Sequence, residues 1–354
     1  MELYLLDLDL NIVDVIENYK SIIWTTRYFS SGDFELYIPA TEKMINLLKK
    51  DYYITRDDDF TQAMIIENVQ ITTSIEEGNY LIITGKNLKS ILNRRIIWQQ
   101  TSLNGSVVKA INQLVYNNAI EPIIPERKIK RLKLGAEISV RDTINTQYTG
   151  DNLGETIESI CRTYGLGYDI LLDIEDKSFI FVIYKGNDRS YKQNNNPYVV
   201  FSNEYENLLS TNYANNSENY KNVALVAGEG EGIDRKTVVV GKESDLKRYE
   251  LYVDARDISS NENEIDEENY NELLSTRGKE KLEECNIIES IEGEVESGYT
   301  YKLNEDYFLG DIVEVINEYG IEMTPRVTEI IESIDDTGQY IIPTFSTSDT
   351  DMEA

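Results

Sequence analysis

The sequence predicts a β-dominated α+β fold, with β-rich regions at both ends and a small α+β domain between them. Three observations carry this. Short Val-, Ile- and Tyr-rich runs bounded by Gly, Asn or Asp recur through both ends, as half-buried strands do. Helical spacing of apolar residues is confined to a few segments, the clearest being 107–115, 153–164 and 266–285. The chain is 354 residues long, enough for two or three domains.

The first region, residues 1–98, reads as strands Glu2–Asp7, Ile12–Ile16 and Phe34–Ile38, with Ser30-Ser31-Gly32-Asp33 as a turn. Pro39 closes that run. Thr41 caps a short helix whose Met44, Ile45, Leu47 and Leu48 form an apolar stripe. Tyr52–Arg56 is a further strand. Asp57-Asp58-Asp59 lacks the alternating ligands and distal Glu of a cation loop, and reads as a solvated tip. Met64–Thr73 and Asn79–Gly85 pair across the turn Glu76-Glu77-Gly78, and a helical turn follows at Asn87–Arg94.

Residues 99–190 form the small α+β domain. Val107, Val108, Ile111, Leu114 and Val115 share a helix face, capped by Ser106 or Asn104. Pro122 and Pro125 mark a loop. Asp151 opens a second helix with Leu153, Ile157, Ile160, Cys161 and Tyr164 on one face, and Gly165 ends it in the left-handed region. Tyr168–Asp173 and Ser178–Tyr184 make a hairpin across residues 174–177. The Asn-rich segment Gln193–Asn196 is the linker.

Residues 191–345 form the second β-rich region. Val223–Ala227, Thr237–Val240 and Tyr249–Val253 are strands, and Gly228-Glu229-Gly230-Glu231-Gly232 between the first two is a hairpin tip. A phosphate cradle would need a helix N-terminus after those glycines; a strand follows, and the glutamates repel anions. After a polar loop, Asp257–Glu264, Asp266 caps a long helix through Cys285 that turns Tyr270, Leu273, Leu274 and Leu282 inward. Strands resume at Ile287–Glu296, Tyr299–Leu303, Asp311–Asn317, Ile321–Ile334 and Gln339–Pro343, with turns at 317–320 and 335–338. Residues 346–354 have no apolar anchor and read as a flexible tail.

Composition narrows the function. Net charge is −30, from 64 acidic and 34 basic residues, so the chain cannot neutralise a nucleic-acid backbone. The basic run 128–133 has no interleaved aromatics to stack bases, and reads as a solvated edge or an intersubunit salt-bridge partner. There is no histidine, which removes the commonest general base and metal ligand. Cys161 and Cys285 are far apart and read as buried free thiols in helices. No apolar run reaches the roughly 18 residues that span a bilayer, and the alternating apolar–acidic start reads as a strand and not as a signal peptide. The 25 tyrosines suit strand surfaces and protein interfaces, and Trp24 and Trp98 read as core. Carboxylates are too abundant to single out a hydrolytic pair. No catalytic, cofactor-binding or metal-ligating residue is assigned.

Five blocks in order, SSGDFELYIPAT, NPYVVFSNEYENLLSTNY, VALVAGEGEGIDRKTVVVG, ELYVDARDISS and GDIVEVINEYGIEMTPRVTEI, resemble the siphovirus ReqiPepy6 Gp37-like proteins of phage and prophage tails. The resemblance implies two tail-tube-like antiparallel β-barrel domains with inserted helices, flanking the small domain. It implies a structural hub of a tail tip, baseplate or phage-tail-like bacteriocin, and not an enzyme. Three copies would form a ring joining a six-fold tail tube to a three-fold tip. Implied partners are the chain itself, the tail tube or distal tail protein, a central spike or fibre, and the tape measure protein. Implied location is the virion tail, assembled in the bacterial cytoplasm. No membrane and no sequence-specific nucleic acid are implied. The other reading is a tail-associated protein that binds cell-wall polymer or hydrolyses peptidoglycan.

Overall fold

A computed structural model describes residues 1–74, 78–261, 264–295 and 300–347. The first region contains β1 (Leu3–Leu6), β2 (Ile12–Ile16), β3 (Ser21–Arg27), β4 (Asp33–Pro39), α1 (Glu42–Leu47), β5 (Tyr53–Arg56), β6 (Ala63–Ser74) and β7 (Gly78–Asn87). The middle region contains β8 (Thr101–Ser106), α2 (Val107–Val115), β9 (Leu132–Leu134), β10 (Thr143–Tyr148), α3 (Leu153–Thr163), β11 (Gly167–Asp173) and β12 (Ser178–Tyr184). The last region contains β13 (Val200–Ser202), β14 (Leu208–Asn216), β15 (Val223–Ala227), β16 (Thr237–Val240), β17 (Glu250–Asp254), α4 (Glu267–Glu283), β18 (Ile288–Val295), β19 (Glu314–Ile316), β20 (Glu322–Met323), β21 (Arg326–Ile334) and β22 (Gln339–Thr347).

The fold is β-dominated α+β, built on large antiparallel pairings. Its main element is one 11-stranded sheet in the order β14-β18-β22-β21-β3-β4-β7-β6-β5-β1-β2. Strands from the two ends of the chain meet where β21 pairs antiparallel with β3, in the register Glu329↔Arg27 to Ile334↔Ile22. No closed barrel forms among the described residues. Two cores cover one face of this sheet. One, beneath the first region, gathers Leu3, Leu5, Trp24, Phe34, Leu36, Ile54 and Leu81. The other, beneath the last region, gathers Phe201, Leu208, Ile291, Val315, Ile330 and Phe345. Edge-on ring contacts from Phe201 to Tyr301 and Tyr307 fill its centre.

The middle region packs α2 and α3 against β11 and β12, and its core runs on into Leu6, Tyr28, Phe29 and Ile65 of the first region. Tyr28 is the junction. Its hydroxyl donates to the Gly165 carbonyl (3.1 Å) and accepts from the Gly186 amide (3.2 Å). The Arg326 guanidinium lies 5.2 Å from its ring. The segment 217–287 leaves the sheet after β14 and returns to β18, which pairs with β14 directly. It makes a sheet in the order β16-β15-β17, and α4 covers it through Tyr270, Leu273 and Leu274.

Local signals in the sequence explain most boundaries. Thr41 caps α1 by accepting from the Met44 amide, and Asp266 caps α4 by accepting from Asn269. Ser106 precedes α2 but makes no side-chain capping bond, and Gly165 follows α3 at φ +60°. The cap of α3 is Asn152 and not Asp151, because the amide oxygen of Asn152 reaches the Gly154 and Glu155 N–H groups.

Several expectations are corrected. Ser21–Arg27 is a strand that the pattern reading missed. Ile321–Ile334 is two strands, since Pro325 has no N–H to donate and interrupts the ladder. β22 continues to Thr347, so Ser346 and Thr347 belong to the sheet and not to a loose tail. The rest of that tail, 348–354, and the turn residues Glu76 and Glu77 lie outside the described residues. Cys161 is buried, but Cys285 is half-exposed and lies beyond the end of α4. Trp24 is core at 2% exposure, whereas Trp98 is 52% exposed.

Candidate functional site

The extended feature that the fold leaves unpartnered is the second face of the 11-stranded sheet over β18, β22, β21, β3, β4 and β7, together with the two sheet edges; at β5 and β6 the middle region covers that face through Tyr53 and Ile65. Side chains alternate across a strand, so the residues opposite the cores must meet something else. Cross-strand pairs define this face: Asn212↔Glu292, Glu292↔Thr344, Glu329↔Thr344, Ser333↔Tyr340, Ser333↔Ile23 and Ile23↔Glu35. Most of these side chains are exposed or half-exposed, and they are largely polar or acidic. At one end Tyr37 and Tyr80 stack at 4.5 Å, with the Lys20 ammonium 5.0 Å from the first ring.

The edges are β14 and β2. β14 pairs only with β18, and β2 only with β1. Both carry exposed apolar side chains: Leu209 and Tyr213 on β14, Ile12 and Val13 on β2. Edges with unpaired N–H and C=O groups, nine residues on β14 and five on β2, invite another strand.

The β3–β21 junction is pinned on both faces. On the open face, Arg27 bonds Glu329 and also Asp33 (2.5 Å). On the covered face, Arg56 bonds Glu332 (2.7 Å) and Asp58 (2.8 Å), with the Trp24 ring centroid 5.2 Å from the guanidinium. Arg56 and Glu332 side chains are only 7% and 11% exposed, so this pair works in low dielectric. Lys89 braces the junction from below. Its buried ammonium donates to the backbone carbonyls of Arg27 (2.5 Å) and Tyr28 (3.4 Å), and burial pulls its pKa down.

The α4 insert docks on the middle region through buried polar groups. Tyr148 donates to the Glu280 carboxyl (2.6 Å), and Arg277 bonds Asp257 (2.9 Å) and the Gln147 carbonyl (2.8 Å). Burial pushes the Glu280 carboxyl up to about 7.

The motifs weighed in the sequence become structural. The Gly-rich tip joins antiparallel strands β15 and β16. Its Glu229 carboxylate turns inward to accept from Ser260 (2.6 and 2.7 Å). Arg235 closes the loop onto the Gly228 and Ala227 carbonyls and Asp254. Three of the four basic residues in the run pair within the chain, Lys128 with Glu121, Arg131 with Asp9 (3.0 Å) and Lys133 with Asp176 (3.4 Å), and Lys130 is exposed. Asp58 serves Arg56, and Asp59 accepts from Thr61. Sequence reasoning missed Arg56 and Glu332, which are 276 residues apart; no local pattern links them.

The model of the family described as Siphovirus ReqiPepy6 Gp37-like protein matches residues 2–346. The chain belongs to that family. It is a phage tail protein, of a structural and not an enzymatic family. Solved structures with the same fold are tail proteins too. One is a tail protein from Neisseria meningitidis MC58, with TM-score 0.59 and 14% identity, over 98% of this chain and 96% of that one. Another is the prophage MuSo2 43 kDa tail protein from Shewanella oneidensis, with TM-score 0.60 and 13% identity, over 99% of both chains. A third is prophage tail protein gp18 from Listeria monocytogenes EGD-e, with TM-score 0.52 and 10% identity, over 100% and 97%. No curated protein sequence matches.

Proposed function

We propose that this tail protein is a hub subunit whose three copies close into a ring at the tail tip or baseplate, of a phage or of a phage-tail-like bacteriocin. The observation that carries the reading is the single sheet spanning both ends of the chain, with cores on one face, a polar face opposite, and two unpaired edges. In the ring, β14 of one copy lies beside β2 of the next, which removes both exposed edges. The two halves of the sheet, with their separate cores, act as two tube-like barrel domains, residues 1–98 and 191–345. Three copies then present six such units to a six-fold tube and three-fold symmetry to a spike or fibre. Residues 99–190 and the α4 insert brace the ring from outside.

The polar face lines the channel. Glu35, Glu292, Glu294 and Glu329 give it acidic character, so passing DNA or a tape measure protein would not adhere. Further partners are the tail tube or distal tail protein. The place of action is the virion tail, after assembly in the bacterial cytoplasm.

The test is disulfide trapping in assembled tails with Val13→Cys and Asn212→Cys in one chain. A covalent ladder that stops at three copies is expected. A ladder ending at two, or a reconstruction of the particle with this chain absent from the axial channel, would refute the ring.

A further inference from the structure

We infer that the groove around Trp98, on the middle region, is a binding site for an uncharged N-acetylated sugar. This goes beyond the ring reading and is tested on the free chain. The groove has a volume of about 330 Å³ and is lined by Trp98, Gln99, Gln113, Asn117, Ile123 and Arg127, among others. That volume falls within the roughly 300–1,000 Å³ of small-molecule sites.

Trp98 is not merely exposed; it is held. Its backbone N–H donates to the Asn118 side-chain oxygen (3.1 Å), and the Asn118 amide in turn donates to the Leu114 carbonyl (3.0 Å). The Arg127 guanidinium sits 4.9 Å from the ring centroid and is tied down by donating to the Ile96 carbonyl. Those contacts orient an indole whose surface is still half in water.

The backbone around the groove is also unusual. After α2 the chain widens into a π-type turn, Tyr116–Ile120, closed by a bond from the Glu121 amide to the Tyr116 carbonyl (2.8 Å). Such bulges concentrate at functional sites. This one delivers Asn117 and Asn118 to the groove.

The lining chooses the ligand. The electron-rich face of an indole attracts the polarised C–H groups on the flat face of a pyranose. The side-chain amides of Gln99, Gln113 and Asn117 have no hydrogen-bond partner among the described residues, and each both donates and accepts, as vicinal hydroxyls require. Ile123, 71% exposed at the rim, supplies an apolar contact for an acetamido methyl. Arg127 lies against the indole and donates to the Ile96 carbonyl, and Glu121 pairs with Lys128, so the ring and the free amides are the groups that face a ligand, and neither needs it to be charged. A protein interface would instead centre on a larger apolar patch.

The chain has two tryptophans, and Trp24 is buried, so Trp98 is a built-in reporter. The experiment titrates the full-length protein with the trimer of N-acetylglucosamine, following tryptophan emission and heat, with polyglycerol phosphate as the anionic control. A saturable change in Trp98 emission with the sugar and none with the polyanion is expected. By calorimetry, Trp98→Ala and the pair Gln113→Ala/Asn117→Ala should each weaken binding by about tenfold or more, while Trp98→Phe retains stacking and loses less. Trp24 emission and circular dichroism verify that the variants are folded. No response to the sugar, binding unchanged in folded Trp98→Ala, or a response only to the polyanion would overturn the assignment. So would a Trp98 shift that follows protein concentration and not sugar, which would make the groove a contact between copies.

Discussion

Removing Arg56 should destabilise the tail protein more than any other single substitution at the β3–β21 junction. The guanidinium bridges Glu332 of β21 and Asp58 of the loop after β5, and its side chain is 7% exposed. In Arg56→Met, Glu332 keeps a carboxylate at 11% exposure with its partner gone. Stranding a buried charge in this way costs about 3–5 kcal/mol. With an m-value near about 3 kcal/mol/M, a loss of about 4 kcal/mol lowers the urea midpoint by about 1.3 M. Glu332→Leu should be milder, because Arg56 retains Asp58 at 2.8 and 3.0 Å. The double variant Arg56→Met/Glu332→Leu should recover most of the loss, since it buries apolar groups and leaves no unpaired charge. The assay is urea unfolding followed by circular dichroism and by Trp24 emission, whose ring lies against Arg56. A cost below about 1 kcal/mol for Arg56→Met, or single losses that simply add in the double variant, would refute the idea that this pair pins the two ends of the chain together.

Three further outcomes are expected. Glu280 titrates near 7 when folded against an ordinary 4.5, so the folded state holds its proton more tightly; its stabilising share is complete below about 4.5 and fades as pH rises through about 7. Glu280→Gln should therefore gain on the parent steadily from pH 5 to 8 in thermal melts, and a constant difference across that range would contradict the assignment. Gly310 has φ +95°, and a Cβ there would lie 2.2 Å from the Tyr28 ring, so Gly310→Ala should cost about 2–4 kcal/mol from strain and overpacking together; a variant melting like the parent would show that the junction yields. Cys161 is buried, with its thiol pushed up to about 12, whereas Cys285 is half-exposed; a thiol reagent should label Cys285 in the native protein and Cys161 only after unfolding, as peptide mapping would show.

The sequence by itself determined the local grammar of this protein. Thr41 and Asp266 start helices because their side-chain oxygens reach free N–H groups, and Gly165 follows one because φ +60° suits a residue without Cβ. The Val-rich runs around residues 228–232 form strands, and so exclude a phosphate cradle, for reasons contained within a few residues. The order of blocks along the chain was also enough to identify the family. What only the tertiary structure decided depends on partners distant in sequence. Ser21–Arg27 is as β-branched as its neighbours, yet its importance lies in β21, some 300 residues later, and in the Arg56–Glu332 pair beneath that junction. Trp98 sits in an apolar stretch like Trp24, and nothing local separates them. One is covered by the strands of a sheet and the other is propped outward by Arg127, because burial is set by where the rest of the chain goes and not by the residue's own neighbours in sequence.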